Sequence, residues 1–511
     1  MRWTAAWLGG LVLGLSGAVR AEAQAPPPAL RGLDAYIQQA MRAWEVPGLA
    51  VAVVKDDSVV WARGFGVREL GRGDPVTPRT VFLAASTTKA FTAALLGMLV
   101  DEGRVRWDDP VTRHLPGFQV FDPYVTRELR VRDLLAHNSG LGRADALWYG
   151  TTLSRDEILR RLRFQPPSWS FRSRYGYNNN MFIAAGQVVA AVSGRPWDEA
   201  VRERIFRPLG MTRSVTSVTE LAGMKDVATP HARYDDRVQP IPWRNVDNVG
   251  AAGSINTCVL DMAQWVRLHL AGGVHQGRRL LADSTVRELR LPNTVIRPDR
   301  RTDSLFPEVH LRAYALGWSL SDYRGRLVVA HSGSLDGMRA RVGLLPEERL
   351  GVVAFANLSG ADDLLVALMY RVFDAYTGGV RRDWAADLLA AHRQAREREA
   401  REERRLDSAR VRGTRPSHPT AEFAGRYVDS LYGTMTVREE SGGLVLDWGG
   451  WAQADLQHWH YDTFRAVWRD RQFDKDFVRF ESGFDGAAAR LVIQDWGAFT
   501  RAPVDSATRR P

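Results

Sequence analysis

Ser86 and Lys89 stand three residues apart in the run Ala84-Ala85-Ser86-Thr87-Thr88-Lys89-Ala90-Phe91-Thr92. On a helix, side chains at that spacing are neighbours. A serine hydroxyl is a weak nucleophile until a base takes its proton. A lysine amine can be that base only when neutral, and both desolvation and the positive end of a helix disfavour the ammonium form. Arginine cannot serve, because it keeps its proton. Only four of the 69 basic residues are lysine: Lys55, Lys89, Lys225 and Lys475. A chain that otherwise chooses arginine has lysine at this place. The pair alone says little, since a serine and a lysine on a solvated helix would look the same. Two later stretches add to it. Tyr177 and Asn179 lie in the polar segment Tyr175-Gly176-Tyr177-Asn178-Asn179-Asn180, and Val328-Val329-Ala330 leads into His331-Ser332-Gly333-Ser334.

These groups need elements to hold them. The spacing of Phe91, Leu95, Met98 and Leu99 predicts a helix from Ser86 to about Asp101, with Gly103 ending it. Another helix is expected over 31–46. Residues 48–62 read as a hairpin around the turn Lys55-Asp56-Asp57-Ser58. Residues 130–300 read as mainly helical with long loops. Strand patterns return over 313–357, at Ala315–Trp318, Leu327–Ala330, Ala340–Leu345 and Gly351–Ala356. Strands from both ends flanking a helical middle imply an α+β fold whose sheet is assembled from the two ends.

The ordered set Ser-x-x-Lys, Tyr-x-Asn and His-x-Gly resembles the class C β-lactamase and penicillin-binding-protein family of serine hydrolases, which also holds esterases and D-aminopeptidases. Leu134–Leu141, Phe206–Met211 and Tyr314–Trp318 also look like signatures of that family. The resemblance spans roughly residues 30–375. It implies a β-lactamase/transpeptidase-like antiparallel sheet flanked by helices, with a helical subdomain and a cleft between. It implies Ser86 as nucleophile, with Lys89 and Tyr177 sharing the proton traffic, and a Lys89 cation beside Tyr177 would favour its phenolate. The choice of formal base between the two stays open. It further implies Asn179, His331, Gly333 and Ser334 as substrate-binding residues, with the backbone N–H groups of Ser86 and Ser334 as an oxyanion hole. Gly333 would let substrate lie close to the strand. No metal or cofactor is implied. The chain departs from true class C β-lactamases at His331, where they carry lysine, and this shifts the expectation from lactamase toward peptidase or esterase. A carboxylesterase or weak β-lactamase on the same site, and a non-catalytic scaffold, are the alternatives. His137 is read as support for the site. Trp148, Tyr149 and Trp169 are candidates for pocket lining or core.

The remaining sequence bounds the setting. Met1-Arg2, the apolar run Ala5–Val19 and the small residues Ala21, Ala23 and Ala25 read as a secretory signal peptide over 1–25, so a secreted or periplasmic protein without a stable membrane span is expected. The hydrolase domain is expected over 26–378, a charged helical linker over 379–416, and a small antiparallel barrel over 417–511. The barrel resembles the lipocalin-like domain appended to some members of the family. The formal charge of +10 comes from arginine interspersed with acids, not from a basic run. This argues against nucleic acid; a small-molecule or short-peptide substrate is what the resemblance implies, and a homo-oligomer stays open. The single cysteine, Cys258, forms no internal disulfide and is expected to be buried. His458 and His460 alternate on a strand, but no third ligand accompanies them.

Overall fold

The computed structural model describes residues 26–297, 300–379, 382–494 and 496–503. The expected leader over 1–25 lies outside them. The larger part is an eight-stranded sheet with Ser58–Gly66 at one edge and Thr294–Val295 at the other. Between them run, in order, Gly48–Lys55, Leu350–Ala356, Met338–Leu345, Arg326–Leu335, Ser319–Tyr323 and Arg312–Tyr314, and every pairing is antiparallel. Gly48–Lys55 pairs with Leu350–Ala356 in the register Leu49 to Ala356, so the sheet is built from the two ends as expected.

The apolar run of Gly48–Lys55 has a physical reason: both faces of the sheet are covered. Ala50, Ala52 and Val54 face the core that contains the Thr88–Asp101 helix. Leu49, Val51 and Val53 face a second core made with the helices Leu33–Trp44 and Asp362–Thr377. The Thr88–Asp101 helix is buried at every residue from Thr88 to Leu99. The sequence pattern suggested one apolar face, but a helix apolar all round belongs in the middle of a domain. It ends where Arg104 N–H bonds Leu99 O and Gly103 N–H bonds Val100 O, with Gly103 in the left-handed region at φ +70°.

Ala315–Trp318, expected as a strand, is a turn joining Arg312–Tyr314 to Ser319–Tyr323. Ala315 N–H bonds Trp318 O, and Gly317 takes φ +75° with its Cα against the Lys89 carbonyl. The charged stretch forms one helix, Trp384–Ser408. Its first turn packs into the larger part: Trp384 is buried and stacks on Tyr370 at 4.8 Å. The C-terminal part is a closed barrel of eight strands from Gly425–Asp429 to Gly497–Arg501 in sequence order, closed by pairing of the first with the last. Among the described residues no helix is long and apolar enough to cross a membrane.

Candidate active site

The strand Phe82–Leu83 pairs with Asn256–Thr257, and Ala84 N–H bonds Ile255 O at 2.8 Å. The chain then turns through Ala85 at φ +46°, a left-handed conformation that costs an alanine about 1 kcal/mol. Ser86 follows in a 3-10 turn, Ala85–Thr87, that leads into the central helix two residues later than the sequence pattern suggested. Ser86 is partly exposed, while Ala85 and Thr87 on either side are buried.

Lys89, one turn on, has no exposed surface. Its Nζ lies 3.1 Å from Ser86 Oγ, 2.7 Å from Asn179 Oδ1 and 3.0 Å from the Ala252 carbonyl oxygen. The last two can only accept. A neutral amine has two hydrogens and one lone pair. With both hydrogens committed to Asn179 and Ala252, the lone pair is left to receive the Ser86 hydroxyl hydrogen. Burial pushes the Lys89 pKa well below its ordinary value. The Arg143 charge adds to this and Asp145 opposes it.

Tyr177 is hydrogen-bonded to Ser86, and its ring centroid lies 4.7 Å from Lys89 Nζ. Burial lifts the phenol above its ordinary range, and the bond to Ser86 offsets part of that. Burial thus disfavours the charged form of both groups, the ammonium of Lys89 and the phenolate of Tyr177, against the expectation of a phenolate favoured by a Lys89 cation.

Asn179 precedes the helix Asn180–Ser193. Its Oδ1 faces Lys89 and its Nδ2 donates to Asp145 Oδ1 at 3.0 Å. The same carboxylate accepts from Trp148 Nε1 at 2.8 Å and from Arg143 Nε at 2.6 Å. Arg143 also lies over the Tyr177 ring, 5.0 Å from its centroid. Sequence reasoning missed Arg143 and Asp145. They follow directly on Leu134–Leu141, which was singled out, but nothing in their own spacing marks them. Trp148 does line the Ser86 pocket, together with Asn179, Ala252, Ser334 and Leu335. Tyr149 lies in the neighbouring cleft. Trp169 packs under Gly176, whose backbone leaves no room there for a β-carbon.

The strand Arg326–Leu335 pairs with Ser319–Tyr323 only as far as Ala330. From His331 onward that edge is open, and Ser334 and Leu335 line the pocket. His331 itself is turned away. It is 4% exposed, its Nδ1–H donates to Ser332 O at 2.7 Å, and its Nε2 accepts from Tyr314 Oη at 2.8 Å. Burial, with Lys89 nearby, drives its pKa down to about 3. The expectation that His331 contacts substrate is therefore revised: a neutral ring under the strand holds Tyr314. Gly333 has a packing reason besides the one expected. A β-carbon there would collide with the Ala84 carbonyl, so the missing side chain lets strand and nucleophile turn meet. Ser334 Oγ donates to Asp362 Oδ1, whose other oxygen accepts from Arg339.

His137 is buried at φ +55°. Its Nδ1 accepts from Asn178 N–H at 3.1 Å, and its ring packs on Tyr177 and Tyr314 at 4.2 and 4.4 Å. It props the Tyr177 loop. Cys258 is buried with its thiol pKa pushed up to about 12 by desolvation. In the barrel, His458 bonds Tyr461 O at 2.9 Å, and His460 accepts from Val411 N–H at 3.4 Å.

Comparison with known proteins shows the family and the fold. The β-lactamase family model matches residues 33–376, and a domain of unknown function, DUF3471, matches residues 409–505. The unguisins hydrolase ungD of Aspergillus violaceofuscus is 29% identical over 385 residues, 69% of this chain and 67% of that protein. Penicillin-binding protein 4 of Amycolatopsis lactamdurans is 29% identical over 62% of this chain and 81% of its own. Among solved structures, the octameric penicillin-binding protein homologue from Pyrococcus abyssi superposes with a TM-score of 0.61 at 21% identity, covering 92% of this chain and 99% of that one. The D-amino acid amidase from Ochrobactrum anthropi superposes at 0.56 and 23% identity, covering 68% of this chain and 99% of that one.

Proposed function

The chain belongs to the β-lactamase family, and from that premise we propose that it is a serine hydrolase that opens an amide or ester through an acyl-enzyme on Ser86. The observation that carries this reading is the buried Lys89 amine, whose Nζ lies within hydrogen-bonding distance of Ser86 Oγ, Asn179 Oδ1 and the Ala252 carbonyl oxygen. Ser86 Oγ attacks the carbonyl carbon as its proton passes to Lys89. The backbone N–H groups of Ser86 and Ser334 hold the oxyanion, where each such donor contributes about 3 kcal/mol to the transition state. Collapse breaks the bond to the leaving group, which takes a proton from Tyr177. Tyr177 regains one from Lys89. Water then attacks the ester, giving its proton back through the same groups, and Ser86 is restored.

Similarity to an unguisins hydrolase supports a hydrolytic reaction, and the likeness to a D-amino acid amidase is the ground for an amide substrate, with short peptides bearing a D-residue as first candidates. An ester substrate uses the same groups. A β-lactam is less favoured, because the neutral, buried His331 offers no cation to its carboxylate. A fluorophosphonate probe should label the wild type and leave Ser86→Ala unlabelled. Mass spectrometry after exposure to p-nitrophenyl butyrate, D-alanyl p-nitroanilide and nitrocefin should then reveal an acyl adduct on the peptide containing Ser86. Equal labelling of wild type and Ser86→Ala would sink the reading. We also propose that residues 1–25 are removed on export, which N-terminal sequencing of the secreted protein would test.

A further inference from the structure

The cavity at Ser86 measures only about 60 Å³. Beside it lies a cleft of about 390 Å³ between the catalytic domain and the barrel. Arg143 lines both. Asp145, in the wall of the cleft, is the residue that holds Asn179 in the wall of the Ser86 cavity. The two spaces therefore share a wall. The barrel side of the cleft is built largely by the loop between strands Thr463–Trp468 and Asp476–Ser482. That loop is fastened to the catalytic domain at successive residues. Asp470 accepts from Arg244 at 2.6 Å, and Arg471 pairs with Asp235 at 3.0 Å. Gln472 bonds Tyr234 Oη, and Phe473 packs edge-on against Tyr149 with centroids 5.2 Å apart.

On the rule that a substrate pocket combines apolar walls with a few placed polar groups, the cleft has a readable preference. Tyr149, Tyr432 and Phe473 give it aromatic walls. Arg143 and Asp145 neutralise each other in an ion pair of 2.6 Å. That leaves two carboxylates on the barrel side, Asp474, exposed at the rim, and Asp476, which accepts from the Trp468 indole. The side on which the cleft opens follows from Arg143, whose guanidinium lies over the ring of Tyr177, the phenol that protonates the departing group.

We propose that this cleft is the leaving-group subsite, and that the barrel loop, through Phe473 and Asp474, selects leaving amines with a large apolar or aromatic side chain followed by a cationic group. The proposal rests on the hydrolase reading above. It makes the appended barrel a determinant of specificity.

The test uses the full-length protein and three substrates that share one acyl group and differ in the leaving amine: ammonia, glycinamide and phenylalanyl-lysinamide. For the wild type, kcat/KM should favour phenylalanyl-lysinamide over glycinamide by about tenfold or more, the scale on which apolar pockets discriminate. Phe473→Ala and Asp474→Asn should each pull that ratio toward one. A ratio is internal to each protein, so it does not depend on how much of a variant is folded. Asp474 is exposed, and its isosteric replacement leaves the packing of the loop intact. Turnover of all three substrates at equal kcat/KM, or a preference unchanged in both variants, overturns the subsite and leaves the hydrolase reading standing. No turnover, together with no fluorophosphonate label, overturns both.

Discussion

Between the lowered pKa of the buried Lys89 amine and the ordinary value of about 10.4, the folded chain binds one proton fewer than the unfolded chain. Stability therefore rises with pH through that window and is complete only above the unfolded value. Removing the amine removes the dependence. In thermal melts from roughly pH 6 to pH 10, Lys89→Met should gain on the wild type at the acid end, and the difference should narrow as pH rises. A flat difference would mean that the folded protein keeps Lys89 charged. The same group sets the rate profile. Activity should fall on the acid side as Lys89 takes up a proton. Tyr177, whose phenol is held above its ordinary range, should give no alkaline limb below about pH 10. Single-turnover acylation rates across pH check both limbs, and an alkaline fall near neutrality would contradict the neutral-phenol assignment.

Two glycines let separate elements converge on one turn. Gly317 lets the turn between two strands touch the Lys89 backbone, and Gly333 lets the open-edged strand touch Ala84. Gly333→Ala should push that strand from Ser86. The expected result is a kcat lowered by more than tenfold, since a misplaced oxyanion donor costs about that or more, with a lower melting temperature and a smaller effect on KM. Steady-state kinetics beside a melt would show it, and unchanged kcat would refute the packing argument. At this scale the sequence was informative where pattern and burial agree. The apolar runs at Gly48–Lys55 and Leu350–Ala356 read as strands because both faces are covered, Ser86 and Lys89 meet as their spacing suggested, and Tyr177 and Asn179 join them as the resemblance implied. It was uninformative where a role depends on which way a side chain points. His331 could not be known to face Tyr314, nor Asp145 to orient Asn179, because neither fact leaves a trace in spacing. Ala315–Trp318 looked like a strand from composition, yet Gly317 at positive φ turns the chain there. The helix Trp384–Ser408 read as a boundary, but its first turn belongs to the catalytic core through Trp384 and Leu388.

At the scale of the molecule, Arg244 joins three parts. It pairs with Asp336 in the turn that follows the substrate-facing strand at 2.8 Å, with Asp470 of the barrel at 2.6 Å, and it lies over the Tyr149 ring at 4.7 Å. Partly buried ion pairs of this geometry lose more when one partner is removed than the pair itself contributes, because two carboxylates are left facing each other. Arg244→Ala should raise hydrogen exchange both in the turn around Asp336 and in the barrel loop around Asp470, with little change in the distal barrel strands. Exchange confined to one side would show that the two parts are not joined through this residue.

The sheet has one more consequence. Leu49 is paired with Ala356, so the centre of the catalytic domain cannot close until a stretch of some three hundred residues has been made. Contacts that distant in the chain carry a large loop-closure entropy and form slowly. Synthesis therefore runs well past the nucleophile turn before the central sheet can close. The barrel, whose strands pair in succession, can close on its own schedule, so refolding should show a fast phase from the C-terminal part and a slow one from the domain that acts on substrate.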